Sequence, residues 1–115
     1  MSEPYVPARG DFMRLVLTPQ AGHEQRGERP VLVLSNEPFN RVTGFAFITP
    51  VTSQARRWPF EVSIPPGGRV SGVLLTDQTR SLDYRSRHGR FIAAAPEPVV
   101  EAVLARVAAI LGLRT

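Results

Sequence analysis

Apolar side chains fall in short runs divided by turn-forming residues. Gly10 to Leu17 is rich in apolar and branched side chains and ends at Thr18 and Pro19, the pattern of a strand closed by a turn. Gln20 to Glu28 is polar, holds two glycines and shows no period, which predicts a surface loop. Val31 to Ser35 is a continuous apolar run of strand length, expected to be buried on both faces. Asn36 is placed to cap a short helical turn whose first positions tolerate Pro38. Phe45 to Val51 predicts another strand, with Pro50 marking its end or a sheet edge. Phe60 to Ile64 alternates with period two, and Pro65, Pro66, Gly67 and Gly68 form the clearest turn. Gly72 to Leu82 starts as a buried strand and turns polar at Asp77 and Gln78. A short apolar segment, Phe91 to Ala94, precedes the last element.

That last element is helical. Pro96, Pro98 and Glu97 mark its start and Gly112 its end. Val99, Val100, Val103, Leu104, Val107, Ile110 and Leu111 recur at helical spacing and predict one stripe docked on the sheet, with Glu101 and Arg106 facing away. Five or six short strands and one terminal helix make the fold mainly β with α. They describe a small, strongly bent β-barrel or open sheet, for which SH3-like barrels and OB-folds both fit.

Composition narrows the possible chemistry. A chain of 115 residues, with 43% apolar and 21% charged side chains, predicts a single folded domain spanning residues 1–115. The absence of cysteine excludes disulfides, thiolate zinc ligation and a cysteine nucleophile. His23 and His88 are the only imidazoles and show no metal-binding spacing, so neither a metal nor another cofactor is expected. No apolar run is long enough to span a bilayer and the N-terminus lacks a secretory pattern, which predicts a cytoplasmic protein with no membrane partner. The net charge is +4 and all 14 cationic side chains are arginine. A polyanionic partner follows as an expectation, although total replacement of lysine also has the look of coding bias.

Two polar loops carry candidate chemistry. The first, from Gly22 to Pro30, includes His23, Glu24, Gln25, Arg26 and Arg29; the second runs from Thr52 to Trp58 and includes Ser53, Gln54, Arg56 and Arg57. Taken singly, Glu near Arg on a loop is usually a solvated ion pair, and Trp58 is expected to pack on the barrel. Together they supply more: a carboxylate can take a proton, a guanidinium can hold charge on a phosphoryl oxygen, and a threonine hydroxyl is a neutral donor. Those parts would let an RNA 2′-hydroxyl attack its own phosphate. Arg85, Arg87, His88 and Arg90 form a basic patch expected to be mostly solvated, with Asp77 and Gln78 equally suited to structure or to RNA contact.

Tyr5 to Pro7, Gly10, Asp11, Pro19, Gly22, Glu24, Gln25, Gly27, Arg29, Pro30 and Val33 to Ser35 resemble, in order and spacing, the N-terminal half of the MazF/PemK toxin family. The likeness continues through Asn40, Thr43, Gly44, Pro50 to Gln54, Pro59 to Val62, Gly72, Val73, Asp77, Gln78, Arg80, Ser81 and Arg85 to the closing helix. The resemblance implies a homodimeric SH3-like barrel of CcdB/PemK type. It implies a metal-independent, sequence-specific endoribonuclease toxin of a type II toxin–antitoxin system, acting on single-stranded RNA to leave a 2′,3′-cyclic phosphate and a 5′-hydroxyl. Carried over position by position, it implies that Arg29 holds transition-state charge and delivers a proton, that Thr52 meets the phosphoryl oxygen, and that Glu24 is the base for the 2′-hydroxyl. It further implies RNA contacts from Pro19, Gly22, Gln25, Ser53, Gln54, Arg56, Gln78, Arg80 and Arg85, and a cognate MazE-like antitoxin that displaces RNA.

The chain departs from the family pattern at Arg14, where relatives commonly carry an aromatic, and at Thr18, where many carry aspartate. Both positions bear on base recognition and neither on the catalytic residues. The alternative is a non-enzymatic, CcdB-like gyrase inhibitor, or a cleavage-deficient barrel that only binds RNA or antitoxin. The tail that carries gyrase poisoning, Trp-Gly-Ile, is replaced here by Leu113, Arg114 and Thr115.

Overall fold

A computed structural model describes residues 4–17 and 27–113 of the chain. Among these residues seven strands and two α-helices follow in the order β1 (Asp11–Val16), β2 (Glu28–Val33), α1 (Glu37–Thr43), β3 (Phe45–Thr52), β4 (Glu61–Ser63), β5 (Val73–Leu75), β6 (Arg80–Asp83), β7 (Arg90–Ala94) and α2 (Glu97–Leu111). All pairings are antiparallel, in the order β4-β5-β3-β2-β1-β7, with β6 beside the first half of β3. Among the described residues no ladder joins β4 to β7, so the bent sheet is not a closed barrel. Across that opening the Arg69 guanidinium Nη1 donates to the Ile92 carbonyl at 3.0 Å.

Strand alternation divides the core. Phe12, Leu32, Leu34, Val51 and Leu74 face one side, where Val99, Val100 and Val103 of α2 cover them. Met13, Leu15, Val31, Val33, Ala46 and Ile48 face the other, with Leu82 and Tyr84. The run from Val31 to Leu34 is therefore buried on both faces, as its unbroken apolar character predicts. Its strand begins earlier than expected, at Glu28, so Arg29 and Pro30 lie inside β2.

Local signals hold for the helices. The Asn36 side chain accepts the Phe39 N–H at 3.1 Å, and Gly44 ends α1 at φ 74°. In α2 the stripe is shorter than the periodicity predicts: Leu104 and Val107 are partly buried, whereas Ile110 and Leu111 are exposed because the helix outruns the sheet. Arg106 does not face away; its Nε reaches the Pro59 carbonyl at 3.2 Å.

Two strand expectations change. β3 does not end at Pro50, which is buried and pairs with Val31. Between Ile48 and Val51 the strand exchanges β6 for β5 as neighbour, and a residue with no N–H to donate sits in that interval. Asp77 and Gln78 do not interrupt a strand. They belong to a 3₁₀ turn, Thr76–Gln78, that separates β5 from β6.

Candidate active site

Arg29 and Thr52 come from the open end of one ladder. The last β2–β3 pair is Val31 with Pro50, and each chain runs two residues further to reach Arg29 and Thr52. Both side chains have the parity of that pair, which is the face of the second core cluster. Arg29 is exposed and donates from Nη1 to the Glu28 carbonyl at 3.0 Å, while Thr52 is half-buried. The Thr52 Oγ1 accepts the Gln54 N–H at 3.2 Å, which orients the hydroxyl at the start of the following loop.

Beside Arg29 lies a groove of about 500 Å³ lined by Leu17, Gly27, Arg29, Pro50, Gln78, Thr79 and Arg80. Leu17 and Gly27 flank residues 18–26, and the Leu17 N–H donates to the Gly27 carbonyl at 2.9 Å. A second concavity, of about 220 Å³, is lined by Thr52, Arg56, Trp58, Glu61, Leu75, Asp77 and Gln78. Gln78 belongs to both, so the two form a continuous surface.

The turn that presents Gln78 is fixed by threonines. Buried Thr76 donates its hydroxyl to the Phe60 carbonyl at 2.5 Å, and the Thr79 hydroxyl bonds the Thr76 carbonyl at 2.8 Å and the Thr49 hydroxyl at 2.7 Å. This web ties the turn to β3 and to the chain before β4, a rigid support for a binding side chain.

The expected site residues do not all come together. Arg29, Gln78 and Arg80 line the groove, and Thr52, Arg56 and Gln78 line the adjoining concavity. Ser53 and Gln54 are exposed on the loop between. Arg85 lines neither; its Nη2 donates to the Arg41 carbonyl at 3.1 Å and its guanidinium lies 5.7 Å from the Tyr84 ring. Pro19, Gly22, His23, Glu24 and Gln25 lie outside the described residues, as does most of the predicted 20–28 loop.

Sequence reasoning expects most of the basic patch to be solvated; Arg85 and Arg90 are exposed, as expected, yet both are bonded, and Arg87 is half-buried. Arg87 Nη1 donates to the carbonyls of Val16 and Leu17 at 2.8 and 3.1 Å, bracing the end of β1. Arg90 pairs with Glu28 at 2.9 Å. Nor is Trp58 packed into the sheet as expected: the residue is 53% exposed, with the Phe60 ring at a centroid distance of 6.2 Å. Leu17, Leu75 and Thr79 complete the surface unannounced by any motif, and Pro50 and Glu61, which lie in the family-like blocks, join it without having been given a role. The only hint of Thr79 was its place in a polar stretch with Thr76, Asp77 and Gln78.

A bent antiparallel sheet with a terminal helix, bearing a guanidinium in a basic groove and a hydroxyl in the concavity beside it, defines a small β protein with groups suited to phosphodiester chemistry. Residues 8–111 match the family model for the PemK-like, MazF-like toxin of type II toxin–antitoxin system. Endoribonuclease PemK from Escherichia coli is 42% identical over 107 residues, covering 90% of this chain and 80% of that one. Endoribonuclease toxin MazF from Escherichia coli K12 is 33% identical, covering 94% and 96%. A crystal structure of MazF from Deinococcus radiodurans is 49% identical, with TM-score 0.87 over 96% of this chain and all of that one. The chain belongs to the PemK/MazF family of type II toxin–antitoxin endoribonucleases.

Proposed function

We propose that this chain, as one toxin domain spanning residues 1–115, cuts single-stranded RNA at short sequences by attack of a ribose 2′-hydroxyl on the adjacent phosphate. In this reading Glu24 takes the 2′-hydroxyl proton, the O2′–P bond forms and the P–O5′ bond breaks. The 5′ oxygen takes a proton from water as it leaves, giving a 2′,3′-cyclic phosphate and a 5′-hydroxyl. The Arg29 guanidinium, permanently charged, holds the developing charge on the phosphoryl oxygens and hydrogen-bonds the leaving oxygen. Thr52 donates to a phosphoryl oxygen. The ends are produced without a metal, and DNA is spared because it lacks the nucleophile.

The observation that carries this reading is the emergence of Arg29 and Thr52 from one ladder end, beside a groove that also holds Arg80. RNA contacts are assigned to Pro19, Gly22, Gln25, Ser53, Gln54, Arg56, Gln78 and Arg80, and Arg85 would meet RNA only beyond the groove. The Deinococcus radiodurans MazE–MazF structure, 46% identical with TM-score 0.88 over 96% of this chain, supports a MazE-like antitoxin as partner. Phe39, Val42, Phe45 and Phe47, exposed together on α1 and β3, support a homodimer. Among the described residues no helix is long and apolar enough to cross a membrane, and the reading sets the protein in the cytoplasm with its RNA.

The test is incubation with a long unstructured RNA and a matching single-stranded DNA in EDTA, with sequencing of the ends. Discrete RNA cuts bearing cyclic phosphate, absent from DNA and from Arg29→Ala, are expected. An intact RNA pool containing every short sequence would overturn the reading.

A further inference from the structure

The two concavities that meet at Gln78 differ in charge. Among the described residues, the groove is lined by the cations Arg29 and Arg80 and by no carboxylate, whereas the smaller concavity sets Glu61 and Asp77 against Arg56 alone. A phosphodiester is drawn to the first and repelled from the second. The smaller one better accommodates a flat, uncharged group with hydrogen-bonding edges, and its wall is an aromatic ring.

That ring, Trp58, is held out rather than buried. The residue is 53% exposed, and its ring is backed by Phe60 at 6.2 Å and 54°. The preceding Arg57 adopts φ 57°, a left-handed conformation that a bulky side chain rarely takes. The loop is closed by three hydrogen bonds: the Arg56 N–H donates to both Glu61 carboxylate oxygens at 3.2 and 3.0 Å, and the Glu61 N–H donates to the Trp58 carbonyl at 3.0 Å. A braced loop therefore presents an aromatic face next to Thr52, on which the proposed chemistry depends.

We propose that Trp58 is a stacking platform for a nucleobase next to the cleaved phosphate, and that Asp77 and Gln78 read that base's edge. This rests on the endoribonuclease reading above. Stacking on an indole suits any base, so discrimination falls to the edge. A carboxylate only accepts, and an amide both donates and accepts, which favours a base carrying an exocyclic amine.

Trp58 is the only tryptophan in the chain, so its fluorescence reports on this site alone. The probe is an RNA oligonucleotide spanning a mapped cut, with a 2′-deoxy residue at the cut to block turnover. Saturation is expected to quench the emission, and an abasic residue beside the cut to abolish the quench. Trp58→Ala should raise KM roughly ten- to a hundredfold with a much smaller change in kcat, and Trp58→Phe should restore most of the loss. Asp77→Asn should change which base is accepted at that position. Unchanged emission at saturation, or Trp58→Ala cutting the same sites at the same KM with an unchanged melting temperature, overturns the inference while wild-type cleavage stands. If the wild-type chain cuts no RNA, the endoribonuclease reading falls and this inference with it.

Discussion

The Tyr84 hydroxyl donates a 2.8 Å hydrogen bond to the backbone carbonyl of Asn40, joining the end of β6 to the middle of α1 inside the protein. Asn40 is fully buried, and its side chain is a hub as well. Its Nδ2 donates to the carbonyls of Pro7 at 2.8 Å and Ser35 at 3.1 Å, and its Oδ1 accepts the Ser35 hydroxyl at 2.5 Å. Asn40→Ala removes every side-chain partner at once and leaves buried carbonyls unpaired. A loss of about 2–4 kcal/mol is expected, read as a lower urea midpoint with an unchanged slope. An unaltered midpoint would show that water replaces the amide.

Gly72 is the residue that lets Thr52 stand where it does. Its φ is 116°, and a Cβ there would collide with the Thr52 carbonyl oxygen and come within 3.1 Å of the carbonyl carbon. Gly72→Ala must strain the backbone or push the end of β3 away. Lost stability of about 1–3 kcal/mol and a reduced kcat are expected together. Gly67→Ala is the control: its φ is 99° but nothing lies within 4 Å of the added Cβ, so stability falls and cleavage is retained.

Arg29→Ala is expected to lower kcat by roughly a hundred- to a thousandfold, the usual cost of deleting one donor to developing charge. Arg29→Lys should recover little, because a point charge does not reproduce a planar fork. Thr52→Ser should keep most activity and Thr52→Val lose it. Single-turnover cleavage measures all four, and a Thr52→Val enzyme as fast as wild type would remove the hydroxyl from the mechanism.

Burial, then the hydrogen bond to Asp11 and the charge of its carboxylate, push the Tyr5 hydroxyl well above its ordinary range. The donor distance to Asp11 Oδ2 is 2.7 Å. An unfolded tyrosine ionises near pH 10, so above that pH the folded chain holds a proton that the unfolded chain has lost. The stabilising contribution is complete below about pH 10 and declines as pH rises through the folded value. Urea unfolding from pH 8 to pH 12 should show wild-type stability falling more steeply than that of Tyr5→Phe above pH 10. Parallel curves would contradict the linkage.

The elements carried by local signals were legible in the chain. The Asn36 cap, the Gly112 end, the doubly buried run from Val31 to Leu34 and the first half of the α2 stripe each depend on near neighbours or on a short period. The Glu24 to Pro30 block with Thr52 pointed to the family because those residues keep their order and spacing wherever the chain goes in space.

What only the tertiary structure decided involves partners distant in sequence. The passage of β3 through Pro50 depends on where β6 stops and β5 begins, and the 3₁₀ turn of Asp77 and Gln78 depends on Thr76 finding the Phe60 carbonyl and Thr79 finding Thr49. Arg87 serves β1 across 71 positions of sequence, and Arg85 reaches α1 across 44. A guanidinium's long stem lets it reach several alternative carbonyls, and composition does not choose among them. Trp58 differs from its apolar expectation for the same reason: whether an aromatic ring is buried or presented is settled by the loop that closes behind it, here through Glu61.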